Sequence, residues 1–424
     1  MSQNIEMIKT FLNLQDKDIQ DVQITNNNGV IVNVILKSKA TYCDVCGSTH
    51  ILSNGYYSRV VKTTNDLFDN TTIRLKVKRF KCMDCHHSFS DSKVLAPRNS
   101  TVTYQTIIKI MELLKSHTMT FKEVAQLCNL SVTSVVRIFD KHCHINRSTL
   151  PEALCIDEVY TKNSDFKSKF SCILYDFEKQ TIIDVLPSRR KNYLHHYFQS
   201  IKKDELDNVK YVCIDMYDTY RSISKCYFKK AIICADSFHV VKHINDDLNK
   251  TRIRVMNSYT TDSLEYYLLK NFNFLLLDRS VELENKAKFN KRLNRYINYS
   301  QILDLILSIN NDLRYGYYIK ERYFAFNNMS YNDDLDKQLD DIISNLILFN
   351  IPEFQEFTTL LSNWRQEILN SFSIYKGRRI NNSIAESVNS RISSIIFNSK
   401  GIRNHERRRK RIMYAINKNG FLLK

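Results

Sequence analysis

Two short cysteine pairs constrain this chain more than any other feature. Cys43-Asp44-Val45-Cys46 and Cys82-Met83-Asp84-Cys85 are each C-x-x-C, with residues 47–81 between them. Each pair presents two thiolates from one tight turn, and two pairs supply the four sulfurs of a tetrahedral zinc site. Gly47 suits the close turn after the first pair. From Thr71 to Phe80, apolar or β-branched residues alternate with Arg74, Lys76 and Lys78. That is a strand with a basic face leading into the second pair. The spacing predicts a zinc ribbon over about residues 40–92, holding one structural Zn²⁺ on Cys43, Cys46, Cys82 and Cys85. His50, His86 and His87 lie nearby, but four thiolates already close such a site. Coincidental spacing of buried cysteines is the competing reading, and a doubled pair is too specific to favour it.

A domain this small leaves most of the 424 residues for other domains. The net charge is +17, which points to a polyanionic partner, most often nucleic acid. The charge is also segregated: residues 1–150 carry +7, residues 151–373 carry −1 and residues 374–424 carry +11. A general solubility surplus has no reason to avoid the middle of a chain. No apolar run approaches the ~20 residues of a membrane span, and no secretory leader is visible at the start. Membrane partners are therefore not expected. Eleven cysteines, an odd number, fit a reducing compartment.

Pro97 and Pro151 bracket a helical segment, read as a domain over 97–150 after an N-terminal region of 1–96. Ile107, Ile108, Ile110, Met111 and Leu114 have helical spacing. Thr120 with Glu123 makes a capping box, Asn129-Leu130 a short turn, and Ser131 a cap for Val132 to His142. Two short helices joined tightly around a small Ala125 predict a helix-turn-helix. Its second helix presents Thr133, Ser134 and Arg137 to a DNA groove. An ordinary helical hairpin is the alternative, and the neighbouring basic ribbon favours DNA.

From Leu154 the pattern switches to strands. Ala153–Glu158 is an apolar run ending in carboxylates, and Phe170–Asp176 with Thr181–Leu186 reads as a hairpin. After a helix near 191–203, Val209–Asp215 and Lys230–Asp236 are further strands ending in aspartate. Three early strands, then alternating helices and strands, is the order of an RNase H-like α/β sheet. From Phe238 to about Ser373 only helical spacing is evident, which predicts an all-helical insertion. Two more helices are expected at 382–397 and 405–416.

Asp157 and Asp215 each end an apolar strand, where α/β sheets bind ligands. Carboxylates brought together repel unless a cation neutralises them, and Mg²⁺ is the natural guest. Two ions ~4 Å apart can serve both oxygens of a phosphodiester displacement. Strand-terminal aspartates commonly just make turns; two on neighbouring strands favour the metal. Glu386 is one of only two acids, with Glu406, in the basic C-terminal segment. On a helix it shares a face with Asn382 and Asn389. A solvated helix face is the plainer reading of that stripe taken alone.

Together these residues resemble the ISL-three family of insertion-sequence transposases, a branch of the DDE transposases. The resemblance runs through the ribbon, the helix-turn-helix, Ile156-Asp157-Glu158, Ile214-Asp215-Met216, Ala235-Asp236-Ser237-Phe238-His239-Val240-Val241, the helix at 382–389 and Lys400-Gly401-Ile402-Arg403-Asn404. It implies a catalytic triad of Asp157, Asp215 and Glu386 holding two Mg²⁺ (or Mn²⁺) ions. Asp236, His239, Asn382 and Asn389 would be accessory residues near the site. It also implies a core over 151–251, an insertion over 252–373, and the last core helix and basic tail over 374–424. Where the family tends to carry two glycines and a lysine on this helix, the chain has Ser383, Ser387 and Ser393. The implied activity is cleavage and strand transfer at terminal inverted repeats and target DNA, with no small-molecule substrate. The expected state is a homodimer or higher oligomer on DNA, in the bacterial cytoplasm on the nucleoid. The tail residues Arg403, Arg407, Arg408, Arg409, Lys410 and Arg411 are expected to grip phosphates. A DNA-binding regulator derived from an inactive transposase, or another RNase H-like nuclease, are the alternatives.

Overall fold

A computed structural model describes residues 6, 12, 15, 17–26, 30–38, 40–64, 72–90, 95–97, 99–163, 166–279, 281–331, 334–398 and 402–421. The chain forms two compact units, residues 1–146 with 391–424, and residues 147–390.

The first unit opens on a sheet of strands β1 (Ile19–Asn26), β2 (Val30–Leu36), β3 (Ile51–Lys62), β4 (Thr72–Cys82) and β5 (Ser88–Ser90). The order is β1-β2-β4-β3, with β5 on β4. β2 and β4 are parallel, and β3 and β4 antiparallel. In β4 the alternation anticipated from sequence holds: Ile73, Leu75 and Val77 are buried, while Arg74 and Lys76 are exposed. The pairing of Ile51 with Cys82 brings the first cysteine turn beside the second. β1 and β2 lie outside the elements expected from sequence, although alternating Ile and Val residues on either side of Asn28-Gly29 are a hairpin pattern.

Helices Tyr104–Leu113, Phe121–Leu127 and Val132–His142 follow. Thr120 and Glu123 form the expected capping box, and the Ser131 side chain accepts from Ser134 N. The turn passes through Asn129 at φ 49°, a left-handed position that asparagine tolerates. The C-terminal helix His405–Asn417 completes this unit. Arg411 is 1% exposed and donates to the carbonyls of Leu114, Ser116 and Met119. Arg407 pairs with Asp140, and the Tyr414 hydroxyl donates to Met111 O.

In the second unit, strands β6 (Ala153–Asn163), β7 (Ser168–Asp176), β8 (Thr181–Leu186), β9 (Tyr211–Ile214) and β10 (Ile232–Ala235) form one sheet ordered β10-β9-β6-β7-β8. β6, β7 and β8 are antiparallel neighbours, while β9 and β10 run parallel to β6. Helices between strands and from the following segment cover the sheet, and one continuous apolar core joins them. The long helix Ser237–Asn257 packs against Asn311–Asn327 at Gly316, where an added Cβ would lie 3.1 Å from Leu248 Cδ1.

Two expectations need correction. β6 does not stop at Glu158 but continues to Asn163, paired with β7. The segment after Phe238 is not all-helical, because β11 (Lys288–Asn290) and β12 (Arg295–Ile297) form a hairpin. Its turn is held by Asn290 Oδ1, which accepts from Arg292 N and Leu293 N, and by Asn294 at φ 49°. Strands of three residues are too short to register as a period of two. A second short hairpin, β13 (Ile374–Tyr375) with β14 (Arg378–Arg379), precedes the helix Ser383–Asn398.

The Arg411 contacts yield a test. Arg411→Ala strands three carbonyls and should destabilise the first unit by about 2–4 kcal/mol in chemical denaturation. Arg403→Ala, at an exposed position, should change stability by no more than about 0.5 kcal/mol.

Candidate active site

The register of the second unit's sheet builds the site. Ile156 pairs with Ile214, and Ile214 with Ala235. The next residue on each strand is an aspartate: Asp157, Asp215 and Asp236. Three carboxylates thus leave three parallel neighbours at one level. All three are buried. Asp236 N donates to Ile214 O at 2.7 Å, which extends the ladder one step past β10.

Each aspartate then meets different partners. Asp157 Oδ1 accepts from Glu158 N at 2.7 Å, and its Oδ2 from Asn389 Nδ2 at 2.8 Å. Asn389 Oδ1 in turn accepts from the Tyr175 hydroxyl at 2.5 Å, which fixes the amide's orientation. Asp236 Oδ1 caps the helix Ser237–Asn257 through Phe238 N and also accepts from Asn382 N at 3.2 Å. Asn382 Nδ2 reaches Ile156 O at 3.4 Å. The start of the helix Ser383–Asn398 is thereby tied to both β6 and the end of β10. Asp215 Oδ1 and Asn382 Oδ1 are buried and accept no hydrogen bond, an expensive condition for an acceptor.

Electrostatics mark the same place. Burial pushes Asp157 up to about 7, with Asp236 and Glu158 adding repulsion. Burial, then Glu158 and Asp157, push Asp215 up to about 8. Asp236 rises to about 6, again chiefly through burial. His239 is lowered by burial and by Lys242 and His243. Ligand atoms of Asp157, Asp215 and His239 lie within 4.8 Å of one another. A crowded group of carboxylates with an orphaned oxygen fits a hard divalent cation.

Glu386 stands apart from that tight group among the described residues. Its side chain is exposed in the first turn of Ser383–Asn398, and its charge is felt at Asp236 and His239. It lies three residues before Asn389, on the same helix face. Two participants escaped sequence reading. Tyr175 orients Asn389, and Arg189 pairs with Glu158 while lying over Phe170 and Tyr217. Nothing local in sequence marks either; only strand pairing brings them in.

In the first unit, the sulfurs of Cys43, Cys46, Cys82 and Cys85 lie within 4.8 Å of one another, with Cys43–Cys85 and Cys46–Cys82 at 3.6 Å. Sulfurs ~2.3 Å from one tetrahedral ion would sit ~3.8 Å apart. The turns are shaped by Gly47 N donating to Cys43 O and Cys82 N to His87 O, with Gly47 at φ 73°. The backbone N–H of Cys85 draws the Cys82 thiol down to about 7, while the neighbouring Cys46 and Cys85 thiols are pushed up. These four residues can hold a metal.

On the helix Val132–His142, Thr133 and Arg137 are exposed, and Ser134 Oγ is engaged with Ser131 Oγ. The six basic tail residues separate. Arg403 is exposed, and Arg409 and Lys410 are half-buried near Glu406. Arg407 is taken by Asp140. Arg408 and Arg411 are buried and donate to backbone carbonyls, so the expected phosphate grip does not extend to these two as they stand. Lys400 and Gly401 lie outside the described residues. Among the described residues, no helix is long and apolar enough to cross a membrane.

Residues 154–412 match a family model for the ISL3 DDE domain described as "Transposase". Residues 95–143 match the helix-turn-helix domain of transposase family ISL3. No curated protein is similar enough to the chain to count as a match.

The raised carboxyl pKa values carry a sign. A folded-state pKa above the unfolded value favours the protonated group, so the associated stability is full below about pH 4 and is lost as pH rises through about 7–8. Magnesium-free protein should lose thermal stability over that window. Asp215→Asn should flatten the loss and raise the melting temperature at about pH 8, by about 2–4 °C per kcal/mol relieved. Differential scanning calorimetry across pH checks both.

Proposed function

We propose that this chain, which belongs to the ISL3 family of transposases, cuts and joins the ends of its insertion sequence by a DDE reaction at Asp157, Asp215 and Glu386. Membership makes it a DNA-cleaving, DNA-binding transposase of an insertion sequence. The observation that carries the finer reading is the register-matched pair Asp157 and Asp215, both buried, both raised chiefly by that burial, and with one orphaned oxygen. The sheet of three antiparallel strands extended by two parallel ones supports an RNase H-like core.

The residues divide the work. Asp157 is held by Glu158 N and by Asn389, so its lone pairs are aimed before any cation arrives. Asp215 keeps Oδ1 free of competing donors. Glu386 approaches on the helix that Asn382 and Asn389 pin to the sheet, and serves as the third acidic ligand. Mg²⁺ or Mn²⁺ bound there would activate a water or 3′-OH and stabilise the leaving oxygen of the phosphodiester. No protein nucleophile is needed. Thr133 and Arg137 contact base edges of the terminal inverted repeats, and the basic face of β4, with Arg74 and Lys76, holds phosphate. The four-cysteine group takes one structural Zn²⁺. Bringing two ends together calls for a dimer or higher oligomer on DNA.

Asp157→Ala should retain binding to end-sequence DNA and lose Mg²⁺-dependent cleavage and strand transfer by roughly 10³-fold or more. Strand transfer at the original rate would refute the triad. End binding with no cleavage by the unsubstituted protein would favour a DNA-binding regulator instead. Metal analysis should find one zinc per chain. Its removal by chelator should weaken end binding and leave the sheet of β6–β10 folded.

A further inference from the structure

We infer that His239 is itself a ligand of the divalent cation, joining Asp157 and Asp215 through a ring nitrogen. The inference rests on the cation-binding reading above and deepens it, since that reading assigns the metal to carboxylates alone.

The geometry makes the case. Ligand atoms of Asp157, Asp215 and His239 form a group within 4.8 Å. Ligands ~2.1 Å from one ion must lie no more than ~4.2 Å apart, so the group needs little closing. His239 reaches it because Asp236 ends β10 and caps the following helix, which places residue 239 in the first turn, beside the ends of β9 and β6. The His239 ring approaches Asp236 Oδ2 only at 3.8 Å, longer than a hydrogen bond. The ring is within ion-pair reach of that carboxylate but makes no hydrogen bond to it. Asp236 acts as a positioning residue, and its Oδ1 is already occupied by Phe238 N and Asn382 N. The orphaned Asp215 Oδ1 is the second sign of a missing electrophile at this point.

The ligand set has chemical consequences. Two carboxylates and one imidazole suit Mn²⁺ better than Mg²⁺, because imidazole is a softer donor than carboxylate or water. The test is pulsed electron paramagnetic resonance of Mn²⁺ alone, added to full-length, zinc-loaded protein without DNA. The expected spectrum shows nitrogen hyperfine coupling from one imidazole. In His239→Gln the coupling disappears and Mn²⁺ affinity falls at least about tenfold. In His239→Asp, Mn²⁺ binding is kept through oxygen, the coupling is still lost, and the preference for Mn²⁺ over Mg²⁺ narrows; this variant guards against a loss caused by misfolding. Mn²⁺ bound without nitrogen coupling, or coupling that persists in both variants, would overturn the His239 assignment and leave the carboxylate reading standing. Failure of the unsubstituted protein to bind Mn²⁺ or Mg²⁺ would overturn both.

Discussion

The burial of two aspartates on neighbouring strands is the constraint around which the candidate site of the second unit is arranged, since burial more than any neighbouring charge raises both. Asp157 and Asp215 are set side by side by the pairing of Ile156 with Ile214, and hydrophobic burial of that strand pair holds them there. Neither can ionise cheaply in this place. The fold thus keeps an unfavourable arrangement that a bound divalent cation would relieve, at a cost met by the apolar core around it. Asn389, Asn382 and Asp236 form a second layer that fixes the neighbouring helix without neutralising the charges.

The cationic surplus has two physical meanings. On β4, exposed Arg74 and Lys76 alternate with buried apolar residues and remain available to an anion. In the C-terminal helix, several arginines instead satisfy backbone carbonyls of the first unit. Arg411 closes the chain after the helix Tyr104–Leu113, where carbonyls lack helical partners. Part of the +11 on residues 374–424 is therefore structural. A charge count along the chain cannot distinguish an arginine facing phosphate from one facing carbonyl oxygen.

Much of the site was legible in sequence because its signals are local. The cysteine pairs, the Thr120/Glu123 box and the strand-plus-aspartate pattern each lie within a few residues. What was not legible depends on pairing between distant segments. Tyr175 reaches Asn389 only because β7 lies beside β6 and the helix Ser383–Asn398 crosses nearby. The continuation of β6 past Glu158 was obscured by polar Thr161, Lys162 and Asn163, which fit an edge or a turn equally well. The hairpin of β11 and β12 is too short for any periodicity and rests on the turn chemistry of Asn290 and Asn294. Asp236 was expected near the site, but its capping of a helix and its hold on Asn382 follow from backbone geometry alone.

The central claim is that a divalent-cation site is assembled at Asp157 and Asp215, at the level of the ends of β6 and β9, with His239 beside them and Glu386 supplied from the helix Ser383–Asn398. Iron-directed backbone cleavage addresses it directly. Fe²⁺ would take the place of the proposed divalent cation, and locally generated hydroxyl radicals would cut the chain near the bound ion. The account predicts cuts close to Asp157, Asp215 and Glu386, suppressed by excess Mg²⁺ and absent in Asp215→Asn. Cuts confined to the cysteine turns at Cys43–Cys46 and Cys82–Cys85, or cuts unaffected by Mg²⁺, would contradict it.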